Sequence, residues 1–158
     1  MEDLAEQYFR KGGDFIRLGQ PEKALGAFDK MIAIDPDDAE AWYGRGLALG
    51  GLCRWTEEIT SMDKAIAIYP DYTPALFARG LALSALGRWI ESVASYDKAV
   101  AINPDDADMW FARGYALGKL KRYTEAVESY DKALAINPDY TESRENREVA
   151  LKKQDQKI

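Results

Sequence analysis

The chain lacks histidine altogether and contains one cysteine, Cys53, among its 158 residues. Without histidine, the commonest general base and the commonest metal ligand are missing, so we expect no metal site and no cofactor. A lone cysteine excludes an internal disulfide and is typical of a reducing compartment. No run of 18 apolar residues occurs, and the first residues, Met1-Glu2-Asp3, are acidic. We therefore expect no transmembrane helix, no secretory signal and a cytoplasmic location.

Positive charge is also scarce. The sequence contains 21 lysines and arginines and 27 acidic residues, which gives a net charge of −6. A nucleic-acid partner needs a basic stripe, so neither nucleic acid nor a membrane is an expected partner. A glycine-rich phosphate loop is missing too. Glycines such as Gly44, Gly46 and Gly50 lie inside helical patterns, where they favour close helix packing over ligand approach. No arrangement of nucleophile, base and orienting group is visible, and the sequence predicts a protein that is not an enzyme.

An octet of the form Asp-Lys-x-x-Ala-Ile-x-Pro occurs four times, at a constant spacing of 34 residues. The copies begin at Asp29, Asp63, Asp97 and Asp131. A fixed period of this length is typical of stacked-repeat architectures. Counting back from each proline gives four units, and together with a final helix they predict a single domain over 1–158. The units are 5–38, 39–72, 73–106 and 107–140.

Each unit contains two apolar stretches with helical periodicity, and no strand pattern appears. In the fourth unit, one helical face carries Trp110, Gly114 and Leu117, and a second carries Ala126 and Tyr130. The sequence therefore predicts an all-α chain of helix, tight turn, helix, tight turn.

Turn and capping residues mark the helix ends. Gly19 and Gly87 suit a left-handed residue after a helix. Thr56 and Thr124 are predicted N-caps of the following helices. Capping-box spacing is predicted for Asp37 with Glu40, and for Asp139 with Glu142.

These residues resemble the tetratricopeptide repeat, whose pattern is an aromatic residue, glycine, a large apolar residue, a small residue, an aromatic residue, a small residue and proline. Unit two matches it with Trp42, Gly46, Leu49, Glu58, Met62, Ala65 and Pro70. The resemblance covers residues 5–140. It implies a right-handed superhelical solenoid of antiparallel helix pairs, and it says little about the ligand.

Some residues depart from the family pattern. Glu58 and Ser92 replace a small alanine where helices approach closely. A basic residue stands where the family usually has leucine, at Lys11, Arg45, Arg79 and Arg113. Two interpretations stay open for this basic ladder. Its aliphatic stems could pack while its charges reach acidic residues such as Asp29, Asp63, Asp97 and Asp131, or it could bind an anion.

Residues 141–157 continue the register and are predicted to form a capping helix. Arg144 stands where Trp110 is in the previous unit, Glu148 replaces Gly114, and Leu151 keeps the place of Leu117. One charged face and one apolar face suit a helix that closes an array.

The resemblance also implies a groove lined by the first helix of each unit. Its floor would carry Phe9, Tyr43, Phe77 and Phe111, with Leu47, Leu81 and Tyr115 one turn on. Its edge would carry Glu6, Glu40 and Asp108. The alternative is that these aromatic residues simply pack between units. The family's carboxylate-gripping positions hold Phe9, Gly13, Gly44, Pro74 and Ala78, none of which donates a side-chain hydrogen bond, so chaperone C-terminal tails are disfavoured.

The sequence thus predicts a non-enzymatic scaffold that binds an apolar or amphipathic peptide or helix of another protein in its groove. The alternative is a structural unit that self-assembles into homo-oligomers. Because the C-terminal segment carries Val149, Leu151 and Ile158 beside several lysines, self-association through this segment is a further expectation.

Overall fold

A computed structural model of the chain describes residues 4–156, and within this range it contains nine α-helices and no strand. The first helices of the successive pairs are α1 (Leu4–Arg17), α3 (Ala39–Gly51), α5 (Thr73–Ala85) and α7 (Ala107–Lys119). The second helices are α2 (Pro21–Ile34), α4 (Trp55–Ile68), α6 (Trp89–Ile102) and α8 (Tyr123–Ile136). The final helix is α9 (Thr141–Asp155).

The helices fall into two compact units, Met1–Ala82 and Leu83–Ile158, and the boundary lies inside α5. In the first unit, α2 packs between α1 and α3, and α4 packs on α3. In the second unit, α7 packs against α6 and α8, and α9 covers α8. The single domain over 1–158 and the repeat boundaries stay predictions, and the predicted cap extends to Lys157, outside the described residues.

Each turn from a first helix to a second helix contains one left-handed residue. As predicted, Gly19 and Gly87 have positive φ, at 64° and 71°. The other two turns place Cys53 (φ 56°) and Lys121 (φ 59°) in the same conformation. A side chain there carries a steric cost that glycine avoids.

The predicted threonine N-caps are wrong. Helices α4 and α8 begin at Trp55 and Tyr123, so Thr56 and Thr124 already lie within the first turn, and the N-cap positions are occupied by arginine. Arg54 makes no capping hydrogen bond through its side chain. It instead donates two hydrogen bonds to Glu57, from Nε to Oε1 at 2.7 Å and from Nη2 to Oε2 at 2.6 Å. The same pairing joins Arg88 with Glu91 and Arg122 with Glu125.

The predicted capping aspartates are also displaced. Asp38, not Asp37, caps α3, and its Oδ1 accepts hydrogen bonds from Glu40 N at 2.8 Å and Ala41 N at 3.1 Å. For α9 the N-cap is Tyr140 rather than Asp139, and it makes no side-chain cap. The turn after the proline is one residue longer than the capping-box spacing assumed. At α3 the capping side-chain oxygen therefore belongs to Asp38, the residue after the predicted one.

The core of the first unit is organised by a ring that fits between two glycines. Phe28 of α2 is 3% exposed and lies against Gly12 of α1 and Gly44 of α3. A Cβ built on Gly44 would stand 2.3 Å from Phe28 Cε1, and one on Gly12 would stand 2.6 Å from Cζ. In the second unit, Tyr130 lies against one such glycine, Gly114 of α7. Gly12 and Gly44 allow three helices to share the Phe28 side chain.

Replacing Gly44 by alanine tests this close approach. We expect Gly44→Ala to lower the free energy of unfolding by about 2–3 kcal/mol, because Phe28 must move out of a well-packed site. Gly26 of α2 is the matched control, because a Cβ there meets nothing within 4 Å. Gly26→Ala should raise stability by about 0.5–1 kcal/mol through helix propensity. Urea unfolding measures both, and equal effects of the two substitutions would contradict the packing argument.

The two strained turns give a second prediction. Cys53→Gly and Lys121→Gly should each stabilise the chain by about 0.5–1 kcal/mol, because glycine adopts positive φ without a steric cost. Gly87→Ala should have the opposite sign, although no atom obstructs its Cβ apart from a distant Trp89 contact at 3.9 Å. Thermal denaturation of the three variants is the measurement. Destabilisation by both glycine substitutions would show that the native side chains make contacts that outweigh the strain.

Candidate functional site

The apolar stripe comprises the predicted groove residues Phe9, Tyr43, Leu47, Phe77, Leu81, Phe111 and Tyr115. Its most exposed members in the first unit are Phe9 (43%), Leu47 (36%) and Leu81 (47%). In the second unit, Tyr115 is 40% exposed. Leu47, Leu81 and Tyr115 occupy corresponding positions, and Phe9 lies one turn before that position on its own helix. Each of the four first helices thus has a large apolar side chain open to solvent, as an interaction surface requires.

The remaining members of the stripe are half-buried. Tyr43 makes an edge-on contact with Tyr72, with 5.2 Å between ring centroids. Phe111 lies 5.1 Å from the Tyr140 ring and 5.9 Å from the Tyr130 ring. These aromatic side chains therefore combine packing between neighbouring helices with a partly exposed face. These ring contacts are those expected from the packing interpretation, and the groove floor stays a prediction.

The acidic residues predicted at the groove edge differ in their surroundings. Glu6 and Glu40 are exposed. Burial and, to a smaller extent, the charge of Glu40 raise the pKa of Tyr72 to about 12. Asp108 is also exposed, but its Oδ1 accepts a 2.8 Å hydrogen bond from the Tyr140 hydroxyl. In the second unit this carboxylate is thus held by the residue that immediately precedes α9.

The basic ladder pairs with aspartates 16 residues earlier in the chain. The Nε atoms of Arg45, Arg79 and Arg113 donate to Asp29, Asp63 and Asp97 at 2.8, 2.6 and 2.6 Å. Arg45 and Arg113 also donate through Nη1 to Ser61 and Ser129 on the following second helix. The first of the two sequence interpretations is therefore confirmed for these arginines. Lys11 differs, since its ammonium lies 5.7 Å from the centroid of the Tyr8 ring.

The basic ladder continues into the capping helix α9. The sequence analysis did not predict this continuation. Arg147 of α9 donates to Asp131 of α8 at 2.5 Å. Arg144 also reproduces a contact of the regular repeats, because its Nη2 donates to the Pro138 carbonyl at 2.6 Å. Trp42 and Trp110 make the corresponding bonds to Pro36 and Pro104 through their indole nitrogens. Adding the 34-residue period to Arg113 would have predicted Arg147.

Glu58 is the one buried carboxyl in the described part of the chain. It is 5% exposed, and its Oε2 has no hydrogen-bond partner. The carboxyl fills the space that Gly50 leaves open, since a Cβ on Gly50 would lie 2.8 Å from that oxygen. Desolvation raises the pKa of Glu58 to about 7. Burial and the nearby Glu58 charge raise the pKa of Tyr43 in turn.

The burial of the Glu58 carboxyl predicts that the free energy of unfolding depends on pH. Because the folded-state pKa of Glu58 lies above its ordinary 4.5, its ionisation costs stability as the pH rises from about 4.5 through about 7. Glu58→Gln keeps the shape and removes the charge. It should stabilise the chain by about 1–2 kcal/mol near pH 8, less than the full linkage value because Gly50 is partly open to water. Near pH 4.5 we expect little change, and urea titrations across this range measure the difference.

The neighbouring carboxylate supplies a control of opposite sign. The hydrogen bonds from Arg54 lower the pKa of Glu57, so its contribution to stability is present above its ordinary pKa and is lost as the pH falls. Glu57→Gln should therefore destabilise the protein at neutral pH. A Glu58→Gln variant whose stability follows the wild-type curve at every pH would refute the buried-carboxyl argument.

Neither a membrane span nor a metal cluster is found in residues 4–156. None of the helices there is long and apolar enough to cross a bilayer. No three side chains of cysteine, aspartate or glutamate come together there as a set of metal ligands.

The repeat geometry agrees with comparisons to known proteins. A model of the tetratricopeptide repeat matches residues 9–73 and 77–141, which is most of the chain. The chain belongs to the tetratricopeptide repeat family. Repeats of this family generally mediate protein–protein interactions, so the fold is one that supports an interaction scaffold. The all-α tetratricopeptide solenoid predicted from the sequence is confirmed as the fold class.

Solved structures share this fold at low sequence identity. The MamA RS-1 ArsTM double mutant is 22% identical, with a TM-score of 0.91 over 98% of this chain and 87% of that chain. MamA 41-end from Desulfovibrio magneticus RS-1 is 22% identical, with a TM-score of 0.85 over 99% and 94%. TTC0263, a thermophilic TPR protein in Thermus thermophilus, is 23% identical, with a TM-score of 0.75 over 93% and 81%. At this level of sequence identity, the similarity to these structures shows a shared fold and nothing more.

A sequence relative also matches over a shorter range. An uncharacterized protein of Methanocaldococcus jannaschii is 42% identical over 53 residues, which are 34% of this chain and 62% of that protein. The match thus spans less than two thirds of the relative and about one and a half tetratricopeptide repeats.

Proposed function

We propose that this chain is a non-enzymatic scaffold that binds an apolar or amphipathic segment of another protein along the apolar stripe. The observation that carries the proposal is the exposure of Leu47 and Leu81 at corresponding positions of two first helices in the first unit, with Phe9 exposed on α1 one turn before the position that corresponds to them. Side chains of this size are normally buried, and when they recur on one helix face they mark an interaction surface.

The surroundings of the stripe favour a partner with apolar anchors and basic flanks. Glu6 and Glu40 place negative charge near the exposed apolar side chains, and neither forms an ion pair within residues 4–156. The arginines of the ladder are paired with aspartates and so do not supply free positive charge beside the stripe. A segment that combines leucine-like anchors with lysine or arginine complements this surface.

Catalysis has no support at this surface. The buried Glu58 has neither a histidine nor a metal cluster beside it in the described residues, and its raised pKa follows from desolvation in a packed repeat. Charged networks within a structural array perturb pKa values without any catalytic role. We therefore extend the proposal to a function in binding alone, with the single domain over 1–158 as the binding unit.

A peptide selection tests the proposal. Peptides selected from a random display library against the wild-type chain should carry spaced apolar residues with basic neighbours. The double variant Leu47→Ser/Leu81→Ser should lose at least roughly tenfold in affinity for them, because two apolar contacts are removed. Its unfolding free energy should change little, since both side chains are exposed.

Two control variants separate loss of the binding surface from the loss of an unrelated exposed leucine and from loss of stability. Leu18→Ser changes a leucine that is 66% exposed but lies at the end of α1, outside the stripe, and it should leave peptide affinity unchanged. Leu49→Ala removes a fully buried side chain and should cost about 2–5 kcal/mol of stability. Peptides that bind the double variant as tightly as the wild type would refute the stripe as the binding surface. Sedimentation at several protein concentrations shows whether self-assembly occupies it instead.

A further inference from the structure

The second unit contains a cleft of 130 Å³ between α7, α8 and α9, several times the volume that a single water molecule needs. Helix α7 contributes Tyr115, Gly118 and Lys119, and α9 contributes Asn146, Val149, Ala150 and Lys153. Helix α8 adds Tyr123 and Tyr130. No acidic residue lines the cleft, although the chain carries 27 of them.

The lysines of the cleft are charged donors without an anionic partner. Lys119 Nζ lies 5.0 Å from the Tyr115 ring centroid, and Lys153 Nζ lies 5.8 Å from that of Tyr123. Neither ammonium forms an ion pair with any carboxylate of residues 4–156. The arginines of the same unit behave differently, since Arg113 and Arg147 are each paired with an aspartate. The aromatic faces hold the two ammonium groups at the cleft while leaving N–H groups available.

Neutral donors complete the lining. Tyr130 is 2% exposed, and its hydroxyl lies beside Gly118, where a Cβ would stand 3.9 Å from the oxygen. Burial and the neighbouring Tyr115 raise the pKa of Tyr130, so the phenol keeps its proton. Neither the Tyr130 nor the Tyr115 hydroxyl is used in a hydrogen bond within residues 4–156. The cleft therefore offers two ammonium groups and two phenol hydroxyls, and it needs an acceptor with negative charge.

We propose that this cleft binds an acidic side chain, aspartate or glutamate, of the partner segment that lies along α7. The inference rests on the proposed function, because Tyr115 belongs both to the cleft and to the apolar stripe. An anionic side chain would accept hydrogen bonds from Lys119, Lys153 and Tyr130 while its aliphatic part contacts Tyr115 and Val149. The chain's own C-terminal segment is rich in lysine and does not complement this site.

Three synthetic peptides separate the possible sources of the negative charge. They are acetyl-Leu-Ser-Leu-Ser-Glu-amide, the same peptide with glutamine in place of glutamate, and the glutamine peptide with a free C-terminal carboxylate. Binding is measured by chemical-shift titration of the ¹⁵N-labelled full chain at constant ionic strength. We expect the glutamate peptide to bind roughly tenfold more tightly than the amidated glutamine peptide, with the largest shifts at Gly118 and Asn146.

Charge-removing variants test the residues themselves. Lys119→Gln/Lys153→Gln should abolish the preference for glutamate, and Tyr130→Phe should reduce it without a change of charge. Lys64→Gln/Lys98→Gln alters the net charge equally at two exposed second-helix positions and should retain the preference. Circular dichroism verifies that each variant is folded.

The remaining outcomes distinguish this inference from the broader proposal. If both amidated peptides bind equally and shift the backbone amide signals of Leu47 and Leu81, the cleft inference is overturned and the stripe proposal stands. If only the free carboxylate binds more tightly, the site takes a chain terminus, and the side-chain assignment is wrong. If no peptide shifts either set of signals, both are overturned.

Discussion

The fit of a large aromatic side chain on a second helix against a glycine of a first helix is the constraint on which this fold depends. Phe28 lies against Gly12 and Gly44, and Tyr130 lies against Gly114. Because the ring touches backbone rather than side chains, the helices approach closely. Leu47 lies one turn along α3 from Gly44 and stays exposed, so a first helix that forms this contact also carries a member of the apolar stripe.

Ionic links complement this apolar packing and explain why the basic ladder is not a ligand site. Arg45 joins Asp29 on the preceding second helix to Ser61 on the following one, so one guanidinium links three helices. Half-exposed ion pairs contribute little stability individually. Their geometry is directional, however, and it specifies which second helix lies next to each first helix. Lys119 and Lys153 of the cleft differ, because they lie over aromatic rings and have no carboxylate partner within residues 4–156.

The repeat period predicted most of the fold, because spacing in the sequence translates directly into helix pairs. Gly19 and Gly87 were assigned correctly, since glycine is the residue that adopts positive φ most readily at the end of a helix. The N-caps at Thr56 and Asp37 were wrong, because a shift of one or two residues in a turn changes the capping residue without altering the apolar period. The cleft around Lys119 and Lys153 was not predicted, although the two lysines lie one 34-residue period apart. The period places them at the same position of α7 and α9, but the space between them depends on how the side chains of α7, α8 and α9 pack.

The hydrogen bonds to the proline carbonyls show that α9 shares one feature of a regular first helix in the turn that precedes it. Trp42 and Trp110 satisfy the carbonyls of Pro36 and Pro104, and Arg144 satisfies that of Pro138 with a different chemical group. The requirement at this junction is for a donor in the right place, not for an aromatic ring.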